Sequence, residues 1–291
     1  MRGGVRWAVL AVAVVALAGC EQSMRFGDIT PPGGAPGPGR FGIVEATMGG
    51  AGPLVGAGDL TVELWVKTPA GSAEPMPCSS AGEGLVQSAM TEYPGIYYRT
   101  NRWGLGLAAD GDVFFGAAPE RVPATTDAYE IPHPVCTDLA GAGVRDGAWH
   151  HLAVVRTVAG EVTIFVDGTL ATTGTSGAGA LNQPGVFATP HTRFRVAGQA
   201  AVSSRDPFFT GQIDELRIST GRRYVTPFTP ATDPFTADAA TTGLWHFDEV
   251  VRSPQNSRYV PEASGKGPSL VATTVYLDSG DPLVGDSPFI D

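Results

Sequence analysis

Residues 59–68, DLTVELWVKT, alternate without interruption. Leu60, Val62, Leu64 and Val66 fall on one side, and Thr61, Glu63, Trp65 and Lys67 on the other. A period of two marks a strand with one buried face, because successive side chains leave opposite sides of the pleat. The same period runs through EVTIFV at 161–166, where Val162, Ile164 and Val166 oppose Thr163 and Phe165. Further strands are read at GIYYRTN (95–101), WGLGLAADGDVFFG (103–116), TRFRVAGQ (192–199), GQIDELRIST (211–220), TTGLWHFDE (241–249) and SLVATTVYL (269–277). Turn residues separate them: Asp110-Gly111 reads as a hairpin, Gly160 as a tight turn, and Asp167-Gly168 as a second reversal. No stretch sustains a 3.6-residue period. At least nine short strands with no helix between them predict an all-β chain folded as a two-sheet sandwich. The 39 glycines and 24 prolines supply the many sharp turns that such a fold needs.

Chemistry is first suggested by GAWHHLAVVRTVAGEVTIFVDGTL (147–170), which carries His150 and His151 side by side. Alternation answers the suggestion. His150 shares the face of Leu152 and Val154, and His151 that of Trp149, Ala153 and Val155, so the two cannot ligate one metal. This stretch is therefore read as architecture and not as an active site. Trp65, Trp149 and Trp245 also fall inside strands and are expected in the core. Residues 171–185, rich in Gly, Thr and Ser, read as a loop, and 116–147 as a long excursion.

The chain ends differently from how it continues. Arg2 and Arg6 precede an apolar run, Trp7 to Gly19, too short to span a membrane. The run closes in Leu17-Ala18-Gly19-Cys20, which resembles the bacterial lipobox. That resemblance implies a signal peptide at 1–19, lipidation of Cys20 and an exported, membrane-anchored lipoprotein at the outer membrane or cell surface. TPPGGAPGPG (30–39) is too rich in Pro and Gly for helix or ladder, so 20–40 reads as a tether and 41–291 as the folded domain. In an oxidising compartment Cys78 and Cys136 are expected to pair. The formal charge of −10, with Lys67 and Lys266 the two lysines, argues against a nucleic-acid partner. Membrane association is expected through lipid and not through a basic surface.

DLTVELWVKT, GAWHHLAVVRTVAGEVTIFVDGTL, FTGQIDELRISTGRRY, TGLWHFDE and ASGKGPSL, in that order, resemble the LamG-like jelly-roll family of the concanavalin A-like lectin/glucanase fold, across roughly residues 41–285. The resemblance implies a jelly-roll sandwich and a binding module, with glycan or cell-surface protein as partner. A structural or adhesive component without sugar binding is the alternative. It also implies a structural Ca²⁺, for which Asp214 is the candidate ligand, since a hard cation takes oxygen donors. The aromatic and polar run at 97–103 offers Tyr97, Tyr98, Arg99 and Trp103 as candidate ligand-binding residues.

A hydrolase of this fold would need two carboxylates facing one another. The glucanase pattern Glu-x-Asp-x-x-Glu is absent, and in Asp214-Glu215 and Asp248-Glu249 alternation sends adjacent side chains apart. No G-x-S-x-G, H-E-x-x-H or phosphate-cradling loop is present, and His133, His191 and His246 stand alone in sequence. No catalytic residue is assigned, and a non-catalytic protein is expected.

Overall fold

The computed structural model describes residues 24–26, 40–49, 55–70, 83–91, 98–119, 122–123, 134–141, 143–182, 191–198, 209–248, 251–252, 254 and 258–276. Numbered in chain order, the strands fall into two sheets. The first contains β1 (Met24–Phe26), β3 (Leu60–Lys67), β9 (Trp149–Arg156), β10 (Glu161–Val166), β11 (Thr169–Thr175), β13 (Gly211–Thr220) and β14 (Thr241–Trp245). Its order is β1-β13-β3-β9-β10-β11, with β14 also paired to β13. The second contains β2 (Arg40–Gly49), β4 (Glu83–Thr91), β5 (Tyr98–Leu107), β6 (Val113–Ala118), β7 (Val122–Pro123), β8 (Val135–Cys136), β12 (His191–Val196), β15 (Val251–Arg252), β16 (Arg258–Val260) and β17 (Leu270–Tyr276). Its order is β15-β16-β17-β2-β12-β4-β5-β6-β8, with β7 on β5. The ladders between these strands are antiparallel, as the jelly-roll sandwich requires.

Alternation builds the interior. Val62, Leu64, Val66, Leu152, Val154, Val162 and Ile164 of the seven-stranded sheet are all buried in one cluster with Val86, Leu105, Phe115 and Phe194 of the other. Register aligns them: Val62 lies opposite Val154, and Leu64 opposite Leu152. Two tryptophans bridge the layers. Trp245 stacks on Phe194 at 5.4 Å, and Trp103 meets Phe194 at 6.3 Å and Phe115 at 6.4 Å. Trp245 also donates its indole N–H to the Pro268 carbonyl, which satisfies its buried polar edge.

The turns form where they were read. Gly111, Gly160 and Gly168 adopt φ of 91°, 91° and 74°, and Asp167 joins Gly168 in the left-handed region at 51°. Two boundaries differ. The stretch read as a loop from 171 begins as the edge strand β11, because its Thr residues pair with β10 despite their polarity. TTGLWHFDE stops pairing at Trp245, since Phe247 turns to φ 58°. Within the segment read as a tether, Met24–Phe26 pairs with Ile213–Gly211. Cys136 is disulfide-bonded, whereas Cys78 and Cys20 lie outside the described residues.

Candidate functional site

A bulge in β13 shapes the outer face of the seven-stranded sheet. Asp214 lies opposite Trp65 of β3, but the next outward pairing is Arg217 with Glu63, so Glu215 and Leu216 share the place of one residue. Glu215 takes a left-handed backbone, φ 53°. The extra residue breaks the period of two, and Asp214 and Glu215 both come to line one cavity. This corrects the expectation that adjacent carboxylates diverge across the sheet. The signal was in the sequence: Ile213, Leu216 and Ile218 are apolar at spacings of three and then two.

Register sets three rows across this face. Asp214, Trp65 and His151 form one, Gln212, Lys67 and Trp149 the next, and Arg217, Glu63 and Ala153 the third. Residues 222–240 run over them as a strap. Tyr224 and Phe228 stack at 3.6 Å and pack on Phe165, Ala153 and Val155. The Phe228 N–H donates to the Gly168 carbonyl. Phe235 meets His151 edge-on and lies under the Arg217 guanidinium, 4.4 Å from it.

The strap is fastened through Glu63, which is fully buried. Arg217 Nε donates to Glu63 Oε1 at 2.8 Å and the Tyr224 hydroxyl to Oε2 at 2.6 Å. Arg223 Nε is 3.7 Å from Oε1, and His151 Nε2 3.5 Å from Oε2, at the outer limit of a hydrogen bond. Burial alone would raise the Glu63 carboxyl, but His151, Arg217 and Tyr224 outweigh it and hold it below the ordinary value. Burial and the Glu63 charge push the Tyr224 phenol up. At the far end Asp238 accepts from Arg223 Nη2 at 2.7 Å and from the Ala240 and Thr241 N–H groups, which keeps its carboxyl well below the usual range.

Between sheet and strap lies a cavity of about 210 Å³, lined by Trp65, Trp149, Asp214, Glu215, Thr232 and Asp233. Trp65 and Trp149 are half-buried and present indole surface to it. Trp65 is held edge-on by His151 at 5.3 Å. Glu215 is buried, and its oxygens accept from His246 Nδ1 at 2.8 and 3.0 Å and from the Phe235 N–H at 2.7 Å. The hydrogen bond to Glu215 raises the His246 pKa; burial opposes this, and the charges of Asp248 and Asp214 support it. Strap and sheet together make a pocket that can stack a flat apolar face and accept hydrogen bonds from donors at its edge.

The expected sites are redistributed. Trp65 and Trp149 leave the core and line the cavity; Trp245 alone of the three is buried core. The reason is parity: the two cavity tryptophans stand on the outward face that a one-sided sheet would expose. Trp103, a candidate ligand contact, is core instead, because its position on β5 points between the sheets. Tyr98 and Arg99 fall on the same strand, with their side chains outside the described structure, as is all of Tyr97. His150 and His151 do face opposite ways. His150 bonds Asp167 Oδ2 at 2.8 Å and Asp146 Oδ1 at 3.0 Å where β9 leaves the core, while His151 is sealed under the strap. Asp214 reaches the cavity, but among the described residues no group of three or more His, Cys, Asp or Glu converges as a metal would require. His246, read as isolated, is the partner of Glu215. The sequence reading missed Glu215, Thr232, Asp233 and His246 as site residues; the broken alternation at 213–216 was the available signal.

The fold and cavity define an all-β sandwich of two antiparallel sheets with a walled depression on the outer face of the smaller one. A laminin G-type profile of the concanavalin A-like lectin/glucanases superfamily matches residues 46–224, and the chain belongs to that superfamily. The match ends within the strap, so Thr232 and Asp233 lie beyond it. Among solved structures, the chain is similar to a putative carbohydrate binding protein from Bacteroides ovatus, at 13% identity and a TM-score of 0.45, covering 90% of this chain and 62% of that one. A heptameric SAP-like pentraxin from Limulus polyphemus is similar at 13% identity and 0.39, covering 67% and 73%. Domains LG4-5 of the mouse laminin alpha1 chain are similar at 20% identity and 0.34, covering 61% and 40%. No curated protein sequence matches.

Proposed function

We propose that this chain is a non-catalytic binding module whose cavity between Trp65 and Trp149 takes a glycan. The observation that carries the reading is two half-buried indoles facing one small cavity whose other walls are Asp214, Glu215, Thr232 and Asp233. Sugars present an apolar ring face and a rim of hydroxyls, and they need both kinds of wall. The volume, about 210 Å³, lies below the roughly 300 Å³ at which drug-sized pockets begin. It suits one sugar residue or a chain end. A glycan array probed with and without calcium tests the reading. Signal that vanishes in Trp65→Ala supports it, and silence in both conditions favours the structural or adhesive alternative. Loss of the signal without calcium would support an ion at Asp214.

The module is proposed to sit at the cell surface on a lipid attached to Cys20, with a disulfide joining Cys136 to Cys78. Palmitate labelling lost in Cys20→Ala supports the anchor; labelling that persists overturns it. A hydrolase is the second reading, favoured because three carboxylates share the cavity. Against it, both oxygens of Glu215 already accept from His246 and the Phe235 N–H, an arrangement that positions and does not present a reactive acid. Release of reducing ends from a bound glycan, abolished in Asp214→Asn, would establish it.

A further inference from the structure

We propose that the sugar taken by this cavity carries a free, positively charged amine, so that unacetylated amino sugars bind in preference to their N-acetylated and neutral counterparts. The inference rests on the glycan reading above. Its ground is a mismatch between the cavity and a neutral sugar. Each sugar hydroxyl both donates and accepts, so a site for neutral residues mixes donors with acceptors. Here the lining side chains are three carboxylates, which accept only when ionised, one threonine hydroxyl, and two indoles with a single N–H each. An ammonium is the complement: three donors and no acceptor. Hydrogen bonds in which both partners are charged are also shorter and stronger than neutral ones.

The aromatic walls point the same way independently. A cation over the face of tryptophan is attracted by the ring quadrupole, and tryptophan is the best of the aromatic side chains for this. Trp65 and Trp149 stand on neighbouring strands beside Asp214, so one bound group can meet an indole and a carboxylate together. The protein's own nearby cations are engaged elsewhere. Arg217 and Arg223 are held by Glu63 and Asp238, and His246 by Glu215. Lys67 lies opposite Trp149, one row from Asp214, and is not among the residues lining the cavity. The chain's formal charge of −10 adds a long-range bias of the same sign. Anionic sugars are disfavoured on every count. Asp233 and Thr232 come from the part of the strap beyond the superfamily match, so this preference is a property of the chain and not of the shared fold.

The test titrates the full chain by calorimetry with β-1,4-linked oligomers of glucosamine, of N-acetylglucosamine and of glucose, equal in length, at moderate salt. The glucosamine oligomer is expected to bind at least tenfold more tightly than either other. Asp233→Asn should remove most of that preference while leaving the melting temperature and any neutral-sugar affinity unchanged. Equal or tighter binding of the N-acetylated or neutral oligomer overturns the amine preference and leaves the glycan reading standing. No binding of any oligomer, together with a silent glycan array, overturns both. Glucosamine binding that survives unchanged in both Asp233→Asn and Trp65→Ala is adsorption to an acidic surface, and it too overturns the proposal.

Discussion

The Tyr224 hydroxyl donates a 2.6 Å hydrogen bond to Glu63, 161 residues away in the chain. One end of that bond is a strap without regular strand; the other is the middle of the central strand β3. A carboxylate there would be costly alone, since burying a charge is tolerated only with partners that replace water. Arg217, Tyr224 and the nearby Arg223 and His151 replace it, and in doing so they fix the strap that walls the cavity.

Removing Glu63 should therefore loosen the strap before it disturbs the sandwich. Breaking a buried pair by deleting one partner costs about 3–5 kcal/mol, and Glu63→Ala is expected in that range. Tyr224→Phe, which removes one hydrogen bond, should cost about 1–3 kcal/mol. Thermal denaturation measures both, and limited proteolysis should cut first between residues 222 and 238. Because the folded Glu63 carboxyl is depressed, its contribution is complete above the unfolded value, about 4.3, and fades as pH falls through the folded one. Acid should free the strap early. Uniform proteolysis across the chain would contradict the order.

Trp65 and Trp103 should behave oppositely. Trp65→Ala removes a wall of the cavity and is expected to weaken ligand binding by about 2 kcal/mol, roughly thirtyfold, with little change in melting temperature. Trp103→Ala empties a core position and should cost about 3–5 kcal/mol of stability. Binding to whatever fraction stays folded should be unaffected. Equal effects of the two variants on binding would refute the assignment.

His246 should titrate above its ordinary value of about 6.5, seen as a shifted ring-proton midpoint by NMR. Glu215→Gln should return that midpoint downward by removing the charge that holds it. The sign for stability follows: a raised folded pKa stabilises below about pH 6.5, and the stabilisation disappears as pH rises through the folded value. A midpoint unmoved by Glu215→Gln would break the pairing.

Gly168 is confined from two directions. Its φ of 74° is strained for any other residue, and a Cβ there would lie 1.9 Å from the Phe228 carbonyl oxygen. Gly168→Ala should cost at least the roughly 1–3 kcal/mol of a strained backbone position, with strap displacement added. Gly221, also at positive φ but with open space around it, should cost less on the same substitution. Comparing the two melting temperatures separates backbone strain from the clash.

The sandwich was legible because its determinants are local. Leu60, Val62, Leu64 and Val66 alternate, Asp167-Gly168 and Asp110-Gly111 turn, and these patterns carry their own geometry. Even the divergence of His150 and His151 follows from the pleat. The site was not legible in the same way. One extra residue at Glu215 reverses the parity of β13, and only the ladder with Glu63 and Trp65 shows where it sits. Whether an outward tryptophan is exposed, sealed or shared with a cavity depends on what crosses the face. Residues 222–240 have no periodicity to announce that they do. The sequence determined the strands and the sides their residues take; the tertiary structure decided which outward side chains meet. That meeting joins residues more than 160 positions apart, and no local spacing encodes it.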